Sequence, residues 1–232
     1  MGESDCRNRP RAWCAAGSAA LMAAAIPVAA VLIFFVDVPV ARLIAENQGA
    51  CPRWIDSILD GSRHYGQAFS AIFIFLAMLS LDRTRRRAAL ILALAVIISA
   101  LLATLAKPLI SRGRPYIFIE NGRMWWFFKG FERSDYCSLP SAHAASAFAL
   151  SAALSRNYPR AAWVFFLAAG LCGVSRITDL QHYISDVFLG AAIGTWIGYG
   201  AYRWRWAGRA AERLLAGADS SKGRFGGRPS GD

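Results

Sequence analysis

Two stretches of this chain run without charge for the length of a membrane crossing. Residues 17–36 make 20 positions and residues 88–106 make 19 without Asp, Glu, Lys or Arg. At ~1.5 Å per residue, each is about long enough to cross a hydrocarbon layer of ~30 Å. The first run exceeds the ~7 to 15 residues of a signal-peptide core, so it reads as a retained span. Four further apolar segments follow, which predicts an all-α, polytopic membrane protein with six transmembrane helices near 16–38, 65–81, 88–106, 142–158, 161–175 and 183–202. The second, fourth and fifth are short against the usual ~17 to 25 residues and are expected to extend into their polar flanks. This membrane domain fills residues 1–215. The remainder, 216–232, is a basic Gly- and Ser-rich tail with the composition of a disordered segment.

The chain is 56% hydrophobic yet carries a net charge of +11, so its charges must gather between the spans. Lys and Arg are retained on the cytoplasmic side. With both termini inside, the inner segments hold 16 of the 26 basic residues and a net +10, against +1 outside. That places both termini in the cytoplasm and the loops 39–64, 107–141 and 176–182 on the outer, periplasmic face of a bacterial-type inner membrane. The basic residues are split among short loops rather than gathered on one reading element, so anionic lipid is the expected partner and nucleic acid is not.

The five cysteines are too few for a disulfide scaffold and odd in number. Only Cys51 and Cys137 fall in outer loops, where two free thiols and a single bond are both open readings. No Cys or His cluster has zinc spacing, and no acidic loop suits calcium or magnesium, so neither metal nor cofactor is expected.

Three polar segments fall on the outer side. KPLISRGRP (107–115) offers Lys107 at the end of a span and Arg114 seven residues on, with Arg112 between; interfacial anchoring is the plain reading. PSAH (140–143) opens the fourth span. There Ser141 can cap the helix, the first-turn amides can bind an anion, and His143 is either an interfacial polar residue or a catalyst. SRITDLQHYISD (175–186) supplies Arg176, His182 and Asp186. On a helix beginning near His182 the carboxylate at i+4 can orient the ring, although a buried structural pair would look the same. An ionisable residue inside a span is costly and usually functional. Together these segments gather cations, two imidazoles and a helix N-terminus on one side of the membrane, a setting suited to phosphate.

The motifs K-x6-RP (Lys107, Arg114, Pro115), PSAH (Pro140, Ser141, Ala142, His143) and SR-x5-H-x3-D (Ser175, Arg176, His182, Asp186) resemble, in order, the signatures of the type 2 phosphatidic acid phosphatase superfamily. The third alone would arise by chance in a chain this long on the order of once in a thousand. The resemblance covers 107–186 by motif and the six-span layout by analogy. It implies that His182 attacks phosphorus, that Asp186 supports its ring and that His143 protonates the leaving oxygen. It also implies that Lys107, Arg114 and Arg176, with Ser141 and the Ala142 amide, cradle the phosphate. Ala142 departs from the family's usual glycine, which is harmless in a helical backbone and strained at positive φ.

The expected activity is metal-independent hydrolysis of a lipid phosphate through a phosphohistidine. Phosphatidic acid, phosphatidylglycerol phosphate, undecaprenyl diphosphate and lipid A all remain open as substrates. A lipid phosphotransferase using the same intermediate, or a transporter relaying protons through these histidines, are the alternatives. Between the first two motifs, Trp125, Trp126, Phe127 and Phe128, flanked by Arg123 and Lys129, suit a loop at headgroup level. RWIDSILDG (53–61) suits a short interfacial helix.

Overall fold

The computed structural model describes residues 22–125, 129–204, 208, 209 and 211–213. The start of the first expected span, the expected tail, Cys6, Cys14 and the aromatics Trp126, Phe127 and Phe128 lie outside the described residues. Among those described the fold is all-helical, with only an isolated antiparallel bridge between Arg112 and Trp125 in place of any sheet.

The first helix, α1, runs Met22–Glu46, past the expected end at 38. Pro39 has no N–H to give to the turn before it, and just ahead of it the chain takes a π-helical turn at Leu32–Val36, where Asp37 N–H reaches Leu32 O. The turn re-phases the helix. Phe34 and Phe35 face outward, 80% and 73% exposed, while Asp37 turns inward and is buried.

Next, α2 (Arg53–Ser62) is helical where a short helix was expected, with Trp54 and Ile58 exposed one turn apart. A 3₁₀ turn, Arg63–Gly66, joins it to α3 (Ala68–Leu81) with a bend of 65°. Gly66 sits at that bend because a Cβ there would lie 2.5 Å from His143 O and 2.8 Å from Cys172 Sγ.

The remaining helices are α4 (Arg86–Ile110), α5 (Pro115–Asn121), α6 (Ala142–Asn157), α7 (Ala162–Thr178) and α8 (Ile184–Ala201). Three stretches, Met22–Glu46, Arg86–Ile110 and Pro159–Thr178, are long and apolar enough to cross a membrane, and the bent α2–α3 pair makes a fourth if it counts as one span. The chain is an integral membrane protein. Each of the six expected spans contains a helix, but α6 is only 16 residues of mostly Ala and Ser, and it lies buried among the others instead of facing lipid.

Small residues explain how α6 takes the centre. Gly190, Gly194 and Gly198, four apart on α8, bring its backbone onto α6, the close approach that small-xxx-small stripes permit. A Cβ at Gly190 would lie 2.4 Å from Ser141 O, and one at Gly194 would lie 2.2 Å from Ala145 O. Gly194→Ala is therefore expected to lower stability by ~1 to 3 kcal/mol, read as a fall in melting temperature in detergent. An unchanged melting temperature would show that α8 can back away freely.

Antiparallel passage of α4, α6, α7 and α8 decides what meets where. The end of α4, the start of α6, the end of α7 and the start of α8 come together at one end of the bundle. The basic turns at Arg83–Arg85 and Pro159–Ala161 fall at the other.

Candidate active site

The first cationic segment begins inside a helix. Lys107 lies in the last turn of α4, followed by Pro108, and the helix ends on Ser111 in the left-handed region at φ 50°. Ser111 Oγ donates to Pro108 O at 2.6 Å, which satisfies a terminal carbonyl. The chain then extends through Arg112 and Arg114 until Pro115, preset for a helical first turn, starts α5. Arg114 Nη1 donates to Gln181 Oε1, joining this segment to the loop after α7.

Ser141 is the N-cap of α6, as expected, with Oγ accepting from Ala144 N at 3.4 Å. Ala142 is the first residue of that helix. Among described non-glycine residues only Ser111 and Leu180 have positive φ, so the alanine is in a conformation it adopts without strain. His143 follows in the first turn, half-buried.

In the third segment the helix starts later than expected. Arg176 falls inside the last turn of α7, its Nη1 3.0 Å from Asp179 Oδ2, and its carbonyl accepts from both Gln181 N and His182 N. Tyr183, extended at φ −77° and ψ 166°, is the N-cap of α8, so His182 precedes the helix rather than opening it. Asp186 is the third helical residue. It reaches back to accept Tyr183 N–H at 2.8 Å and lies 3.7 Å from His182 Nδ1. The pair meets across a helix cap, not along a helix face.

His182 is 2% exposed. Burial, with Lys107 and Arg114 adding to it, pushes its imidazole down to about 4 against the opposing pull of Asp186. The ring is therefore neutral near pH 7. With Nδ1 turned to the carboxylate, the Nε2 lone pair is left to act.

The charged groups of the three segments lie near enough to act on one another. Lys107 interacts with Arg114, Arg176 and Asp186, and His143 with Arg176, His182, Lys107 and Arg114. The Nε atoms of Arg114 and Arg176 are buried without a protein partner. Such donors are costly to leave unpaired and suit an anion. Among the described residues no three His, Cys, Asp or Glu side chains cluster so as to hold a metal ion.

Two ionisable residues central to this end, Arg112 and Asp37, were not among the expected site residues, and Arg112 is buried rather than an interfacial anchor. Arg112 is fully buried, its Nη1 2.6 Å from Asp186 Oδ1 and its Nη2 2.7 Å from Asp37 Oδ2. Its guanidinium lies 4.1 Å from the Tyr183 ring centroid and 5.3 Å from that of Trp125. Ser138 donates to Asp186 Oδ2, and Ser138 N–H binds Arg112 O at 3.0 Å. A lone acid within an apolar helix was the available signal for Asp37, since such residues are usually paired.

Elsewhere, His64 is exposed, as expected, and contacts Gln67 Oε1 through Nδ1 at 2.8 Å. Cys51, Cys137 and Cys172 are free thiols, and Cys137 Sγ donates to Gly130 O at 3.3 Å.

A family model described as the PAP2 superfamily matches residues 88–210, more than half of the chain and all three motif segments. The chain belongs to the PAP2 superfamily. Among curated proteins, this PAP2 chain is 38% identical over 101 residues to a lipid A 1-phosphatase of Rhizobium johnstonii, and 37% identical over 101 residues to one of Rhizobium etli. The matched segment is 44% of this chain and 41% and 43% of those proteins, so the chain spans well under half the length of the curated relatives it matches.

Two crystal structures share the PAP2 fold. Aquifex aeolicus LpxE aligns with a TM-score of 0.59 at 24% identity, over 74% of this chain and 97% of that one. The first transmembrane PAP2-type phosphatidylglycerolphosphate phosphatase from Bacillus subtilis aligns at 0.60 and 18% identity, over 80% and 94%. At these identities the likeness carries the fold alone.

Proposed function

We propose that this PAP2 protein is a lipid phosphatase that removes the phosphate from a lipid A-class headgroup through a phosphohistidine at His182, with the site facing the periplasm. The observation that carries the reading is the convergence of Lys107, Arg114, His143, Arg176 and the His182–Asp186 pair at one end of the bundle. The name of the two Rhizobium relatives supports the substrate class. The excess of basic residues in the segments at the opposite end supports the orientation.

Each side chain then has a task. Lys107, Arg114 and Arg176 hold the nonbridging oxygens, where they are already in place as charge builds in the transition state. Ser141 and the Ala142 amide, at the N-terminus of α6, complete the cradle. His182 Nε2 attacks phosphorus in line and forms the P–N bond. The bond from phosphorus to the lipid oxygen breaks, and that oxygen takes a proton from His143. Water then attacks the phosphohistidine and yields its proton to His143. The P–N bond breaks, inorganic phosphate leaves and His182 is restored. Asp186 supports the ring while it carries positive charge.

Phosphate release from a lipid panel by purified protein, with chelator present, tests this. Lipid A phosphorylated at the 1-position should exceed phosphatidic acid, phosphatidylglycerol phosphate and undecaprenyl diphosphate by at least about tenfold in kcat/KM, a difference of ~1.4 kcal/mol. Preference for another member would overturn the substrate class. Chelator-sensitive release, or none from any member, would overturn the reaction.

A further inference from the structure

We propose that Asp37, on the first membrane helix, is a positioning residue for the displacement at His182: by occupying one arm of the Arg112 guanidinium, it leaves the Asp186 carboxylate with negative charge to hold the imidazole. The proposal rests on His182 being the nucleophile.

The geometry sets two carboxylates against one guanidinium. Arg112 bridges Asp37 and Asp186 through different nitrogens, at 2.7 and 2.6 Å, and all three side chains are fully buried. One buried positive charge faces two negative ones. Without Asp37, Arg112 would neutralise Asp186 alone. With it, the trio carries a net charge of −1, beside a ring that becomes positive only as the P–N bond forms. Balance is thus reached in the transition state and the intermediate rather than in the resting protein, the condition under which an interaction raises kcat.

Asp37 also holds the helix that directly follows the ring. Its Oδ1 accepts Ser185 N–H at 3.0 Å and its Oδ2 accepts from Ser185 Oγ. Ser185 is in the first turn of α8, where backbone N–H groups lack helical partners, so a residue 148 positions earlier caps the helix that follows His182. The π-helical turn at Leu32–Val36 aims Asp37 at this point, and single π-turns frequently mark functional positions.

The charges around His182 come from several elements. Asp186 belongs to α8, Lys107 to α4, Arg114 to the loop after it and His143 to α6. Asp37 acts on the ring through Arg112 and Asp186, and through its hydrogen bonds to Ser185 at the start of α8.

Asp37→Asn, which keeps shape and removes charge, should lower kcat about 10- to 100-fold on the preferred lipid with KM within about threefold. The acid limb of kcat/KM should stay where it is or move lower, since Arg112 then bears more fully on Asp186. Asp37→Glu, which keeps charge and alters shape, should retain more kcat than Asp37→Asn. The reverse order, or an acid limb raised toward the ordinary imidazole value of ~6.5 by loosened packing, would overturn the proposal. His182→Ala separates the two levels. If that variant is inactive and Asp37→Asn has full kcat, this inference fails alone; if His182→Ala keeps full activity, the phosphohistidine reading fails first.

Discussion

His182→Ala is expected to reduce phosphate release from the preferred lipid by on the order of 10⁴-fold or more, the scale on which loss of a nucleophile is felt. The fold should survive, because neutral alanine removes no charge from the buried set around Arg112. Melting temperature measured alongside activity separates chemistry from unfolding. A second signature belongs to the same residue. Burial, reinforced by Lys107 and Arg114, holds the His182 imidazole down to about 4, so its lone pair stays available well below neutral pH. The acid limb of kcat/KM should therefore fall near pH 4, and a limb near ~6.5 would show a ring in contact with water. The sign for stability is the opposite of a salt-bridged histidine. Because the cation is disfavoured in the folded state, stability is fully present above ~6.5 and is lost as pH falls from there toward 4.

Arg112→Met is expected to be the most destabilising single change at this end of the bundle. It leaves Asp37 and Asp186 buried near one another without a counter-charge, and breaking a buried pair from one side costs ~3 to 5 kcal/mol. The melting temperature in detergent should fall by on the order of 10 °C. Adding Asp37→Asn should recover part of that loss, since only one buried carboxylate then remains uncompensated. A melting temperature unchanged in Arg112→Met would mean that water already reaches these carboxylates.

The catalytic candidates were legible because they sit in short segments at set spacings. Arg176, His182 and Asp186 fall within a dozen residues, so residue types and intervals alone mark them as a unit. Asp37 and Arg112 were not legible in this way. They lie 75 positions apart, and only folding reveals that one guanidinium spans the gap between the first helix and the third motif. The limits of the helices were similarly hard to read where hydropathy and backbone bonding part company. The uncharged run ends at Val36, yet α1 continues through Asp37 and Pro39 to Glu46, with a π-helical turn at Leu32–Val36 just ahead of the proline. Tyr183 takes an extended conformation and accepts the cap, which moves the start of α8 past His182. The segment 65–81 read as one short span, whereas the chain bends by 65° at Gly66, the residue that meets the start of α6. The central place of α6 was hidden by its modest hydropathy. Alanine and serine are chosen there for size, so that Gly190, Gly194 and Gly198 of α8 can pack against them.

The central claim is covalent and can be met directly. Protein mixed with lipid A bearing a radiolabelled 1-phosphate, quenched in alkali within one turnover and digested, should carry label on the peptide containing His182. Label on another residue, or turnover with no protein-bound phosphate, would contradict the account.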